Sequence, residues 1–376
     1  MTIIRRKIQD IIEKRLFQGK IIIIYGARQV GKTTLVKELI KKYGDELSYY
    51  SGDDFDVRDK LADKTSAQLN SFLKNKKFVV IDEAQRIKNI GLSLKLMIDN
   101  NPQIQIIATG SSSFELANKI AEPLTGRVYE YYLYPFSLEE LKLLYNDLEI
   151  ERLLEHFMVY GSYPDVAQSG EAAGEKIKLI AKSYSYKDML SFQRLKNPEI
   201  LEKLLQALAL QIGNEVSYNE LSGLVGIDKV TVASYIRILE QNFIIFRLRP
   251  FSRNLRNELK KLRKIYFYDT GLRNALINNL NPLHLRQDAG GLWENFIISE
   301  RIKFNSSRGL NGNIYFWRTK RGAEIDYLEE TNGELSAFEF KWNKGKAKRP
   351  KVFLEAYPGS AFETVSRENY RGFVMN

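Results

Sequence analysis

The chain of 376 residues contains no cysteine. Disulfides, thiolate zinc sites and a cysteine nucleophile are thereby excluded. Histidine is nearly absent too, with only His156 and His284, which argues against a histidine-rich metal site or a serine–histidine triad. Long apolar runs are also missing. The longest, "IIIIY" at 21–25, falls far short of the roughly 20 residues that a membrane-spanning helix needs. The opening "MTIIRRKIQDIIEK" carries basic residues, but Asp10 and Glu13 interrupt any signal-peptide core. The expectation is a cytoplasmic protein with no membrane role.

What is present is the composition of a soluble globular protein, 44% hydrophobic and 27% charged, long enough for two or three domains. Lysine and arginine total 57 against 46 acids, a net charge of +11. That excess favours an anionic partner. It gathers in "RNLRNELKKLRK" at 253–264 and "KGKAKRPK" at 344–351. Either run alone is also explained by a solvated face.

"KIIIIYGARQVGKTTLVKELIKKYG" reads as a buried strand, a turn and a helix, and Gly26–Thr33 match GxxxxGK[ST]. The spacing has a chemical reason. Gly26 and Gly31 let successive N–H groups turn toward phosphate oxygens at a helix N-terminus, with Ala27, Arg28, Gln29 and Val30 between them. Lys32 reaches the terminal phosphates of ATP, the Thr33 hydroxyl takes a position on Mg²⁺, and Thr34 follows on the helix. A second apolar run, "FVVIDEAQ", delivers Asp82 and Glu83 to a strand's carboxyl end. Asp82 is expected to hold the magnesium through water, and Glu83 to orient and polarise the attacking water. A third strand, "IQIIATGSSS", ends in hydroxyls. Thr109 or, by preference, Ser111 would touch the γ-phosphate or the water, with ordinary turn chemistry as the alternative.

Together "GARQVGKTTL", "VVIDEAQ", "IIATGSSS", "LTGRV" and "YGSYPDV" resemble prokaryotic AAA+-like P-loop ATPases. The relevant subfamily carries a C-terminal domain of unknown function that itself resembles PD-(D/E)xK nucleases. The resemblance implies an α/β fold with a parallel sheet in the order 5-1-4-3-2, its strands near 21–25, 47–51, 78–82, 104–109 and 128–133. It implies a P-loop ATPase domain over 1–136, a helical lid over 137–200, a winged helix over 201–272 and a nuclease-like domain over 285–376. In related ATPases a Gly-x-Pro turn of the lid touches adenine. "GSYP" has one residue more between Gly161 and Pro164. Arg127 is a candidate arginine finger, a group worth about 10³–10⁵ in rate where it operates; an ordinary salt bridge is its alternative.

In the middle segment Ser217 with Glu220 forms a capping box, Gly226 sits in a turn, and Asp228 caps a second helix. Two strand-like runs, "FIIFRLR" and "KIYFYDTG", follow, joined by the first basic run. That is the outline of a winged helix with a basic hairpin tip. If it binds DNA, Lys229, Thr231, Ser234 and Arg237 would face the groove and Arg253, Arg256, Lys260 and Lys261 the phosphates. The second helix is poor in base-reading residues, and such modules also serve as spacers or protein contacts.

The last hundred residues offer a helix glutamate, Glu294 in "GGLWENFIISERI", and a strand aspartate, Asp326 in "NIYFWRTKRGAEIDYLEE". "AFEFKW" follows, with Phe338, Phe340 and Trp342 in one phase and Glu339 and Lys341 in the other. This is the order of a PD-(D/E)xK core, although Ile325 stands where the signature has proline. Asp326 and Glu339 would ligate a second divalent metal, Glu294 would complete or orient it, and Lys341 would hold the nucleophilic water. A retained fold with a buried charge network is the alternative. The reading is an ATP-binding and ATP-hydrolysing switch acting on DNA, and several copies working together are compatible with the class. Its rivals are an ATP-gated, metal-dependent DNA nuclease and a nucleotide-locked signalling or protein-docking module.

Overall fold

Five short runs rich in β-branched and aromatic residues build the front sheet of the computed structural model. The structure describes residues 2–73, 76–111, 120, 122–186, 198–252, 263–310, 312–319, 321–343, 345 and 347–375. The strands are β1 (Ile21–Gly26), β2 (Leu47–Ser51), β3 (Phe78–Asp82), β4 (Gln105–Gly110) and β5 (Val128–Leu133). They pair in parallel in the order β2-β3-β4-β1-β5. This is the order implied by the resemblance, read from the other edge. Every residue of β1, β3 and β4 is buried, whereas the edge strands β2 and β5 are mostly half-buried. Central strands of a parallel sheet are covered on both faces, which is why they read as unbroken apolar runs. Parallel pairing also brings the carboxyl ends Gly26, Asp82 and Gly110 to one edge of the sheet.

The chain forms two compact units, residues 2–134 with 241–243, and residues 135–240 with 244–376. In the front unit the tripeptide 241–243 brings Phe243 against Tyr132 and Tyr134, with ring centroids 5.9 and 6.4 Å apart.

In the rear unit, Asn146 and Glu149 form a capping box that starts the helix Asp147–Tyr160. The short helix Thr270–Leu276 packs against it and against Ala173–Tyr186 and Pro198–Leu210. Asp228 caps Lys229–Gln241 through the Val230 and Thr231 amides, as expected from the sequence. Ser217 caps Tyr218–Val225 through the Glu220 amide, but the Glu220 carboxylate accepts from Gln211 rather than closing the expected capping box. Strands β6 (Glu215–Val216), β7 (Ile245–Pro250) and β8 (Arg263–Phe267) follow around them. The tail adds the helix Ala289–Ser306 and β9 (Asn313–Arg318), β10 (Glu324–Thr331), β11 (Glu334–Lys341) and β12 (Ala361–Ser366).

All seven rear strands share one sheet, in the order β12-β11-β10-β9-β7-β8-β6. The joint is parallel: Arg249 and Pro250 of β7 pair with Tyr315 and Phe316 of β9. Just beyond it the Phe251 amide donates to the Phe316 carbonyl at 2.7 Å. One core cluster gathers Phe251, Trp317, Ile325, Leu328, Ala337 and Phe353. A second aromatic group, Tyr327, Phe338, Phe340 and Phe373, has centroids 4.6–6.2 Å apart. Ile325 and Leu328 join one cluster although three residues apart, because the β9–β10 register shifts between them. A bulge of this kind re-aims side chains locally, and Asp326 lies within it. Among the described residues no helix is long and apolar enough to cross a membrane.

Candidate functional site

The loop after β1 is shaped by close backbone approach. A Cβ on Gly26 would lie 2.2 Å from the Leu133 carbonyl oxygen, and Gly31 adopts a φ of 93° as the helix Lys32–Ile40 begins. Gln29 also takes a positive φ, 60°, a region that non-glycine residues seldom occupy. Buried Arg6 braces the loop, its guanidinium donating to the carbonyls of Val30 at 2.8 Å and Tyr134 at 2.7 Å. No motif in the sequence points to Arg6.

Lys32 Nζ donates to the carbonyls of Gly26 and Ala27 at 2.9 and 2.8 Å. Burial pushes its pKa down to about 8, against the pull of Glu83 and Asp82. Arg28 is half-exposed on the loop, and Gln29 and Thr34 face solvent.

Thr33 Oγ1 donates to Asp82 Oδ2 at 2.8 Å. Tyr49 donates to the same oxygen and Thr109 to Oδ1. Burial works against charge on Asp82, but these three hydroxyls outweigh it and hold the carboxyl below its usual range. A threonine hydroxyl in contact with an ionised carboxylate is a hard oxygen pair that suits Mg²⁺.

Glu83 holds a left-handed backbone, φ 50°, a cost that persists where surrounding structure imposes it. Its amide donates to Thr109 Oγ1 at 3.2 Å, while Ser111 Oγ at 3.0 Å and Gln85 Nε2 at 2.5 Å both donate to its Oε2. Both hydroxyls weighed from the sequence thus enter the site, Thr109 on Asp82 and Ser111 on Glu83. Tyr49 and Gln85 are additions. Gln85 stands in the same "DEAQ" and was within reach of the motif reading.

Arg127 makes the salt bridge weighed as its alternative role. It lies at the amino end of β5, where its carbonyl accepts from the Ile21 amide, and its guanidinium forks onto Asp99 at 2.7 and 3.2 Å. Ile21 and Gly26 are the two ends of β1, roughly 17 Å apart at about 3.3 Å per residue. Arg127 therefore does not meet the loop of its own chain, and its side chain is spent on the salt bridge.

Pro164 opens the helix Pro164–Ala167 of the rear unit. The preceding Ser162 is engaged there, its amide on Asp269 Oδ2 at 2.8 Å and its hydroxyl accepting from Lys303 at 3.0 Å. On the helix Lys229–Gln241, Lys229 and Arg237 are exposed, Ser234 is half-buried, and Thr231 turns its hydroxyl back onto Asp228. Arg253, Arg256, Lys260 and Lys261 lie outside the described residues.

In the tail, the four residues singled out by order and phase are neighbours. Glu294 and Glu339 both act on Asp326, and Lys341 Nζ donates to Glu339 Oε1 at 2.9 Å. Burial, then Glu294 and Glu339, push the Asp326 pKa up to about 8. Burial likewise raises that of Glu294.

The sequence reading missed Lys264, which β8 inserts among these acids. Its Nζ lies 3.0 Å from Glu294 Oε1, 2.6 Å from Glu324 Oε1 and 3.9 Å from Asp326 Oδ1. Burial works against its charge, but Glu294, Asp326 and Glu324 together raise its pKa. The alternation of Lys264 and Tyr266 in "RKIYF" was the available signal. The donor set does not fit a second divalent metal, because the Lys264 ammonium already stands among its carboxylates. Among the described residues no group of three or more histidine, aspartate or glutamate side chains is arranged to hold a metal ion.

A phosphate-binding loop after β1, an interior strand of this parallel sheet, with Asp82-Glu83 at the carboxyl end of β3 on the far side of β4, defines a P-loop ATPase fold. Residues 18–142 match a family described as an AAA domain. Residues 151–283 and 289–371 match two domains of unknown function. Over 347 residues the chain is 26% identical to an uncharacterized protein of Mycobacterium tuberculosis, covering 91% of this chain and 74% of that one. An uncharacterized protein of Methanocaldococcus jannaschii is also 26% identical over 347 residues, covering 84% and 74%. Among solved structures, a Walker-type ATPase of Pyrococcus abyssi aligns with a TM-score of 0.50 at 18% identity, covering 73% of this chain and 96% of that one. At that identity the likeness is one of fold.

Proposed function

We propose that the protein is a nucleotide-driven switch that binds ATP with Mg²⁺, hydrolyses it slowly and acts on DNA through its rear unit. The observation that carries the ATPase reading is the linked set Thr33–Asp82–Thr109 beside Glu83–Ser111–Gln85. Lys32 exchanges its two carbonyl partners for phosphate oxygens. Thr33 and Asp82 hold the magnesium, which when bound neutralises charge on the phosphates. Glu83, fixed by Ser111 and Gln85, polarises the attacking water. Lys32→Ala is expected to lose most nucleotide affinity, and Glu83→Gln to bind ATP without turning it over. Phosphate release at the wild-type rate by Glu83→Gln would remove Glu83 from that role.

The DNA reading draws support from the net charge of +11 and the basic run at 253–264. It treats the helix pair with β6, β7 and β8 as a winged helix. The order of helix, three strands, helix and a parallel fourth strand in the tail supports a nuclease-like fold. Cleavage by it is the weaker reading, because Lys264 occupies the acidic cluster.

A further inference from the structure

Lys264 and Tyr266 share a phase on β8 and end on one carboxylate oxygen, Glu294 Oε1, at 3.0 and 2.5 Å. Lys264 is 2% exposed, so its ammonium is withdrawn from water. An ammonium carries three donors and no acceptor and acts as a compact point charge. Glu294, Glu324 and Asp326 all face it. Two of these, the helix glutamate and the strand aspartate, belong with Glu339 to the set that a phosphodiester-cleaving metal would require.

We infer that Lys264 is the resident cation of the tail: its ammonium stands where a divalent metal would stand, and the cluster is a salt-bridged clasp that takes up no metal.

The remaining oxygens agree. Asp326 Oδ2 accepts the Phe340 amide at 2.9 Å while Oδ1 faces Lys264. Glu339 is engaged by Lys341. Each acid of the expected metal site therefore already has a positive or N–H partner. Removing one partner of a buried ion network leaves charge uncompensated. Without Lys264, the same oxygens form a cluster of negative charge that a divalent ion would relieve. The clasp also joins β8, which begins with the last two residues of the basic run, to the helix Ala289–Ser306 and β10.

The test uses the full-length chain carrying Asp82→Asn, so that the front site does not take up the ion, with Mn²⁺ and no nucleotide. Bound Mn²⁺ is read by loss of the free-ion electron paramagnetic resonance signal. With Lys264 present, binding should equal that of the same protein carrying Asp326→Asn. Lys264→Met, of similar length but uncharged, should gain a single Mn²⁺ per chain, and adding Asp326→Asn should remove it. A Mn²⁺ bound with Lys264 present and abolished by Asp326→Asn would overturn the inference. So would a Lys264→Met protein that melts cooperatively yet gains no ion. If Lys264→Met does not fold, the first comparison decides alone.

Discussion

The ammonium of Lys32 rests on two backbone carbonyls in a buried site, with a pKa near 8. Its charge is therefore present at pH 7 and lost as pH rises through about 8. Phosphate oxygens favour the charged form, so ATP should pull a proton onto the protein around that pH. Calorimetry at pH 8 in two buffers of different ionisation enthalpy should show net proton uptake on ATP binding, and affinity should fall between pH 7 and pH 9. Equal heats in both buffers would mean that Lys32 is already fully charged in the free protein. Asp82 behaves oppositely. Three hydroxyl donors keep it ionised below its usual range, so the carboxylate proposed to hold magnesium stays charged across the same interval.

At the scale of elements, the seven-stranded rear sheet hydrogen-bonds the hairpin β7–β8 to the tail strands, so the two are expected to open together. Trp317, 6% exposed, packs on Phe353 and Tyr357 in the tail core. Trp317→Ala should cost about 3–5 kcal/mol, the usual range for emptying a large aromatic site. Hydrogen exchange should accelerate in β7 and β8 as well as in β9 and β10; acceleration confined to the tail would show that the shared sheet does not couple them. The front strands were legible in the sequence because central parallel strands are continuous apolar runs, and the caps at Ser217 and Asp228 because they are local. The β7–β9 joint was not legible, since nothing in "FRLRP" or "IYFWR" names a partner so distant in sequence. For the same reason Lys264 was read as part of a basic run. Its carboxylates come from a later helix and strand, and only folding reveals that it is buried. Arg127, for which both an arginine finger and a salt bridge were open, lies at the amino end of β5 on Asp99, a placement that its sequence neighbours do not reveal.

On the scale of the whole molecule, the excess of basic residues bears on the partner. If the run at 253–264 meets duplex phosphates, replacing Arg253, Arg256, Lys260 and Lys261 by alanine should weaken binding to all sequences alike. The salt dependence should become shallower by about 0.9 in log–log slope for each phosphate no longer neutralised. Measuring affinity at several salt concentrations checks this, and an unchanged slope would move DNA to another surface or off the protein.

The tripeptide 241–243 has a different consequence. The polypeptide passes between the two units at 134/135, again at 240/241 and again at 243/244. No single cut therefore separates the protein into its natural parts. A fragment ending at residue 134 keeps its five strands but leaves Tyr132 and Tyr134 without the ring of Phe243. The complementary fragment inherits that phenylalanine as a surplus aromatic, held at a φ of 58° that its native setting imposes. The front unit is thus completed by residues that lie more than a hundred positions after its last strand.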